Sequence, residues 1–179
     1  YLVTSSFEYF PGVPVFHSTD LVNWEHIGNA LDRPSQLPLE GVDFSGGIWA
    51  PTIRYHEGTF YIITTMMPKG QNFMVTTDDP SGSWSEPVYI EQKNIDPSLF
   101  FDEDGTVYYT GTAPWGENEG PGVYQAEIDV ETGKLLTDYR KIWEGTGGRY
   151  PEGPHLYKMD DGYYLMISEG GTETGHMVV

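Results

Sequence analysis

The chain has no cysteine among its 179 residues. That excludes a disulfide scaffold, a thiolate zinc site and a cysteine nucleophile; it leaves the compartment open, with the cytoplasm favoured. Positive charge is scarce: 9 Lys and Arg stand against 27 Asp and Glu, a formal net charge of −18. Such a chain repels the phosphate backbone of nucleic acid and an anionic membrane surface, and it suits a neutral or cationic substrate. Apolar runs long enough to span a bilayer are missing, and apolar residues at helical spacing are hard to find. A starting Met is missing too. The first residues, Tyr1 to Ser6, read as the middle of a strand, so the expectation is a piece of a longer domain.

What the chain has in abundance is Gly (22), Pro (13) and aromatic side chains, at 15% of residues. Many short strands joined by tight turns follow from that mix, hence an all-β fold, in one domain with a core of its own.

The strands repeat. "APTIRYHEGTFYIITT" (Ala50 to Thr65), "DPSLFFDEDGTVYYTGT" (Asp96 to Thr112) and "GPHLYKMDDGYYLMIS" (Gly153 to Ser168) share one plan. Each has a proline, a short apolar strand, an acidic turn ending in Gly58, Gly105 or Gly162, and an aromatic strand. The interval is about fifty residues, the scale of a propeller blade. Each hairpin is followed by a further strand pair, as in "VFHSTDLVNWEHIG" and "FMVTTDDPSGSWSEPVYI". Two hairpins make a four-stranded sheet, and repeated sheets around an axis make a β-propeller; a β-sandwich with coincidental spacing is the alternative. "YLVTSS" matches the second strand of a unit and "GHMVV" (Gly175 to Val179) the third. Residues 1–179 then hold two complete units flanked by two partial ones, about three to four blades, with the first strand of one blade upstream and further blades downstream. Cut sheets expose strand edges, so the isolated chain is expected to aggregate or fold poorly.

In a propeller the first strand of each blade lines the central channel. At the start of those strands stand Ala50, Asp96 and the pair Glu152-Gly153. The scaffold therefore does not demand a carboxylate there, which raises Asp96 and Glu152 above the acidic background. The plainer readings are a turn-opening Asp before Pro97 and a loop acid between Pro151 and Gly153. Glu103, Asp104, Asp160 and Asp161 flank turn glycines and read as solvated turns. "DEDG" lacks the alternating oxygen ligands of a calcium loop, so neither a metal nor a cofactor is expected.

"SSFEYFPGVPVFHSTDLVNW", "GGIWAPTIRYHEGTFY", "IDPSLFFDEDG" and "GTGGRYPEGPHLYK" together resemble glycoside hydrolase family 43, in its β-xylosidase branch, over essentially the whole chain. The resemblance implies a five-bladed propeller that removes pentose units from plant cell-wall glycans with inversion, using three carboxylates. By motif it makes Glu152 the general acid and Asp96 the carboxylate that tunes and orients it. It puts the general base, an Asp in a "DPS"-like motif, upstream of Tyr1. Phe7, Trp49 and, less directly, Thr172 match residues that shape the sugar pocket; for the two aromatics the plainer reading is core packing. Arg54, Arg149 and His155 fit supporting hydrogen bonds, and Trp24, Trp84 and Trp143 fit packing.

These residue types suit the chemistry. Inversion needs an acid on the leaving oxygen and a base about 6.5–9.5 Å away that activates water. An ordinary Glu, with a pKa of about 4.3, is ionised at neutral pH; burial and an ionised Asp96 are expected to raise that of Glu152. The substrates implied are xylo-oligosaccharides or arabinose-substituted glycans, and homo-oligomerisation of a longer parent stays open. An exo-acting β-xylosidase leads, with α-L-arabinofuranosidase and a non-catalytic glycan-binding propeller as alternatives. Residues 1–179 alone are expected to lack useful activity.

Overall fold

The computed structural model describes residues 1–113, 120–172 and 175–179. Among them every regular element is a strand, in four antiparallel sheets that follow one another along the chain. The first contains β1 (Leu2–Val3), β2 (Gly12–His17) and β3 (Glu25–Leu31). The second is a meander of β4 (Gly47–His56), β5 (Thr59–Met67), β6 (Gln71–Thr77) and β7 (Val88–Lys93). The third has β8 (Ile95–Phe101), β9 (Val107–Ala113) and β10 (Gly122–Asp129), with β11 (Lys134–Leu135) and β12 (Arg140–Trp143) both paired to β10. The fourth has β13 (Glu152–Met159), β14 (Gly162–Glu169) and β15 (Met177–Val178). Two fuller sheets are thus flanked by two of three strands, and β8 packs against both β4 and β13.

The second sheet is buried on both faces, and the period of two in its strands shows why. Successive side chains point to opposite faces. Ile62, Phe73 and Val75 join Val13, Val15, Leu31, Ile48 and Trp84 in a core between the first two sheets. Their sequence neighbours Ile63 and Met74 turn the other way, into a core with Ile90, Leu99, Tyr109 and Ile128. Each such aliphatic side chain removed from water contributes about 1.5–3 kcal/mol. Among the described tryptophans Trp84 is buried, while Trp24 and Trp143 are each a little over a third exposed.

A polar network joins the second sheet to the third. The Asn72 amide donates to Asn94 Oδ1 at 2.5 Å and to the Tyr109 hydroxyl at 2.9 Å, and Asn72 accepts from Thr65 Oγ1 at 2.6 Å. Asn94 Nδ2 donates to the Tyr139 hydroxyl. Asn94 lies directly before β8, so this network fixes the entry of the strand that carries Asp96.

Each leading strand breaks its ladder in the same way. Register slips by one residue between Trp49 and Thr52, between Ile95 and Ser98, and between Glu152 and His155. The extra residue is Ala50, Asp96 and Gly153 in turn, each at positive φ (27°, 52° and 61°). Each precedes a proline, which has no N–H to give the ladder. This corrects the sequence comparison. The counterpart of Asp96 and Ala50 is Gly153, whereas Glu152 corresponds to Trp49 and Ile95.

Candidate active site

Because of these bulges, Asp96 and Glu152 sit at neighbouring, not identical, places on adjacent strands. The link between them is direct: the Gly153 N–H donates to Asp96 Oδ2 at 3.0 Å. Burial and the charge of Glu152 raise the Asp96 pKa to about 6, against the stabilising Gly153 hydrogen bond. Glu152 is half-buried, and burial raises its pKa as well, while His176 pulls it the other way. The expectation that an ionised Asp96 raises Glu152 is thus redirected. Asp96 lies deeper, so the repulsion between the pair falls chiefly on Asp96.

Glu152 opens into a pocket of about 260 Å³ lined by Arg149, Tyr150, Gly170, Gly171 and Thr172. The structure thus brings Glu152 and Thr172 together. Arg149 Nη2 donates to the Tyr150 hydroxyl at 3.0 Å and its guanidinium stacks on that ring, 4.9 Å from the centroid.

Phe7 and Trp49 form a second group, outside the lining of that pocket. Phe7 exchanges both backbone hydrogen bonds with Ile48, at 3.0 Å each, which sets it beside Trp49 on the edge of β4. Gly47 permits this approach: a Cβ there would lie 2.0 Å from the Phe7 carbonyl oxygen. The Phe7 side chain is 42% exposed, so it is not core. The Trp49 indole N–H donates to the Ser45 carbonyl at 2.8 Å, and its own carbonyl accepts from Thr64 Oγ1 at 2.5 Å. Ser5 Oγ accepts from the N–H of Ala50, tying the segment before Phe7 to the bulge.

Arg54 spans three sheets. Its Nε donates to the Leu99 carbonyl at 3.0 Å, its Nη2 donates to His155 Nδ1 at 3.1 Å, and it lies 5.5 Å from the Tyr157 ring centroid. An acceptor Nδ1 requires the neutral Nε2–H tautomer. Burial and the Arg54 charge lower the His155 pKa to about 4, in agreement with that. Both residues thus hold leading strands together, the supporting role expected of them.

Two acids escaped the sequence reading. Asp102 is buried; it accepts from Lys158 Nζ at 3.0 Å and from the Tyr163 hydroxyl at 2.5 Å, fastening β13 and β14 to the end of β8. Glu169 is 0% exposed and accepts from the N–H of Thr146 at 2.5 Å and from its hydroxyl at 2.6 Å. Its only sequence signal is an acid opening "EGGT", directly before the pocket residues Gly170 to Thr172.

Comparison with known proteins gives the family of the chain. The family model described as "Glycosyl hydrolases family 43" matches residues 1–179. A "Xylosidase/arabinosidase" of Butyrivibrio fibrisolvens is 52% identical over 99% of this chain and 36% of its own length. A non-reducing end α-L-arabinofuranosidase of Bacteroides ovatus is 49% identical over 100% of this chain and 34% of its own. The crystal structure of a xylan β-1,4-xylosidase from Bacillus halodurans superposes with a TM-score of 0.90 at 41% identity, over 98% of this chain and 36% of that one. The chain spans about a third of the length of the curated relatives it matches. With its full length matched and its strands superposing on a solved member, the chain belongs to glycoside hydrolase family 43.

Proposed function

We propose that residues 1–179 form part of a longer, inverting, exo-acting glycosidase that releases β-xylosyl units from xylo-oligosaccharides. In this reading the four sheets are blades of a five-bladed propeller. Glu152 protonates the departing glycosidic oxygen, and Asp96 orients and tunes it. A base carboxylate from the bulge of the first blade's leading strand, preceding Tyr1, takes a proton from the attacking water. The observation that carries the reading is the Asp96–Gly153 hydrogen bond, which couples one carboxylate to the backbone of the other beside a sugar-sized pocket. A sugar in that pocket displaces water from Glu152 and raises its pKa further, when a proton is required. Phe7, Trp49 and Thr172 would border the sugar. Release of α-L-arabinofuranosyl units is the second reading, supported by the name of the Bacteroides ovatus relative.

The test uses a family-length protein bearing these residues. Glu152→Ala should lower kcat on xylobiose by about 10²–10⁴-fold, the range of general acid catalysis. An aryl xyloside with a good leaving group should lose far less. Equal losses on both substrates would refute the acid role, and preferential turnover of aryl α-L-arabinofuranoside over aryl xyloside would favour the second reading. Residues 1–179 alone should show no robust hydrolysis of either.

A further inference from the structure

We propose that Glu169 is a positioning residue for Glu152, shaping the loop that presents the acid; the inference rests on the acid role proposed above for Glu152. Glu169 is the last residue of β14 and lies beneath the segment 144–151 that leads into β13. Its carboxylate accepts from the backbone N–H of Thr146, the hydroxyl of Thr146 and the backbone N–H of Gly148. Hydroxyl and backbone donors, rather than a cation, satisfy it among the described residues. Their hydrogen bonds lower its pKa from the ordinary carboxylate value, which favours the charged form.

The fit around this carboxylate is close. A Cβ on Gly145 would lie 2.2 Å from Glu169 Oε1, and one on Gly148 would lie 2.6 Å from Oε2. The loop can wrap the carboxylate only because both positions lack a side chain. The residues after Glu169 extend the grip: the Gly170 N–H donates to the Arg149 carbonyl at 2.7 Å, and a Cβ on Gly171 would lie 2.9 Å from the Tyr150 ring. Tyr150, at φ 53°, then turns the chain toward Glu152. Glu152 is thus suspended between two anchored carboxylates, Glu169 acting through residues 146–150 on one side and Asp96 through Gly153 on the other. The short run from Glu169 to Thr172 holds the acid's loop with its first residue and borders the pocket with its last three.

Displacement of a catalytic group by about 1 Å can lower turnover about 100-fold without removing any reacting atom. Glu169→Gln keeps the shape but turns one acceptor into a donor facing N–H groups. In the family-length protein it should lower kcat on xylobiose by about 10- to 100-fold, with KM within about two-fold and turnover of a 2,4-dinitrophenyl xyloside within about three-fold. A merely structural role would reduce the folded fraction and so depress both substrates alike. Equal losses on the two substrates, or no loss on xylobiose, would overturn the proposal. Should Glu169→Gln fail to fold, Thr146→Val decides by the same criterion, since it deletes one donor; the same leaving-group dependence at smaller amplitude supports the proposal and its absence rejects it. Glu152→Gln, run in parallel, separates the two claims. If it lacks the leaving-group dependence, the acid assignment fails and takes the positioning role with it. If it shows the dependence and the Glu169 and Thr146 variants do not, only the positioning role fails.

Discussion

Asp96→Asn separates what this carboxyl costs the fold from what it offers the chemistry. The Asp96 pKa is raised from 3.8 to about 6, first by burial and then by the charge of Glu152, against the hydrogen bond from Gly153. The folded chain therefore holds this proton more tightly than the unfolded chain between about pH 4 and pH 6. Stability falls as pH rises through that window, and the deficit is complete above it. At about 1.4 kcal/mol per pKa unit, the displacement amounts to about 3 kcal/mol. Asparagine matches the shape, retains an oxygen for the Gly153 N–H and cannot ionise. The variant should thus be more stable than the parent by about 2–3 kcal/mol at pH 8 and nearly equal to it at pH 4. Urea unfolding at pH 4, 6 and 8, comparing midpoints at constant m, measures this directly. A gain of the same size at pH 4 and pH 8, or a loss at pH 8, would refute the reasoning. Placing a carboxylate here would then carry no electrostatic cost.

Two further outcomes follow from neighbouring groups. The His155 pKa is lowered to about 4 by burial and Arg54, so the stability tied to its neutral form is full above about pH 6.5 and is lost as pH falls toward 4. His155→Gln should flatten that acid-side decline by up to about 3 kcal/mol; thermal unfolding between pH 7 and pH 4.5 with an unchanged slope would count against it. Gly47→Ala adds a Cβ 2.0 Å from the Phe7 carbonyl oxygen at a position with φ 79°. It should destabilise the protein by about 2 kcal/mol or more in chemical denaturation; a neutral result would show that the Phe7 segment is free to retreat.

The hairpins at Gly58, Gly105 and Gly162 were legible in the sequence because turn chemistry is local, and the sheets they nucleate form where the repeat put them. The two candidate carboxylates were legible as well. Their equivalence was not legible because "IDPS" and "PEGPH" align on the acid or on the proline but not on both, and the bulge residue is the one directly before the proline. The electrostatic direction within the pair was not legible, since it depends on which carboxyl lies deeper. Glu169 stayed hidden for a different reason: two of its donors are backbone N–H groups more than twenty residues upstream, and backbone donors leave no mark in a sequence.

The bulge shared by β4, β8 and β13 separates making the fold from choosing its chemistry. A residue at positive φ followed by proline is a property of the main chain, and this one chain fills that place with Ala50, Asp96 and Gly153 while keeping the same register slip. The side chain mounted there differs from strand to strand while the slip does not, so each leading strand offers the same address for a different instrument. A scaffold of this kind can gain, lose or relocate an acidic group one blade at a time, by single substitutions that leave its sheets intact.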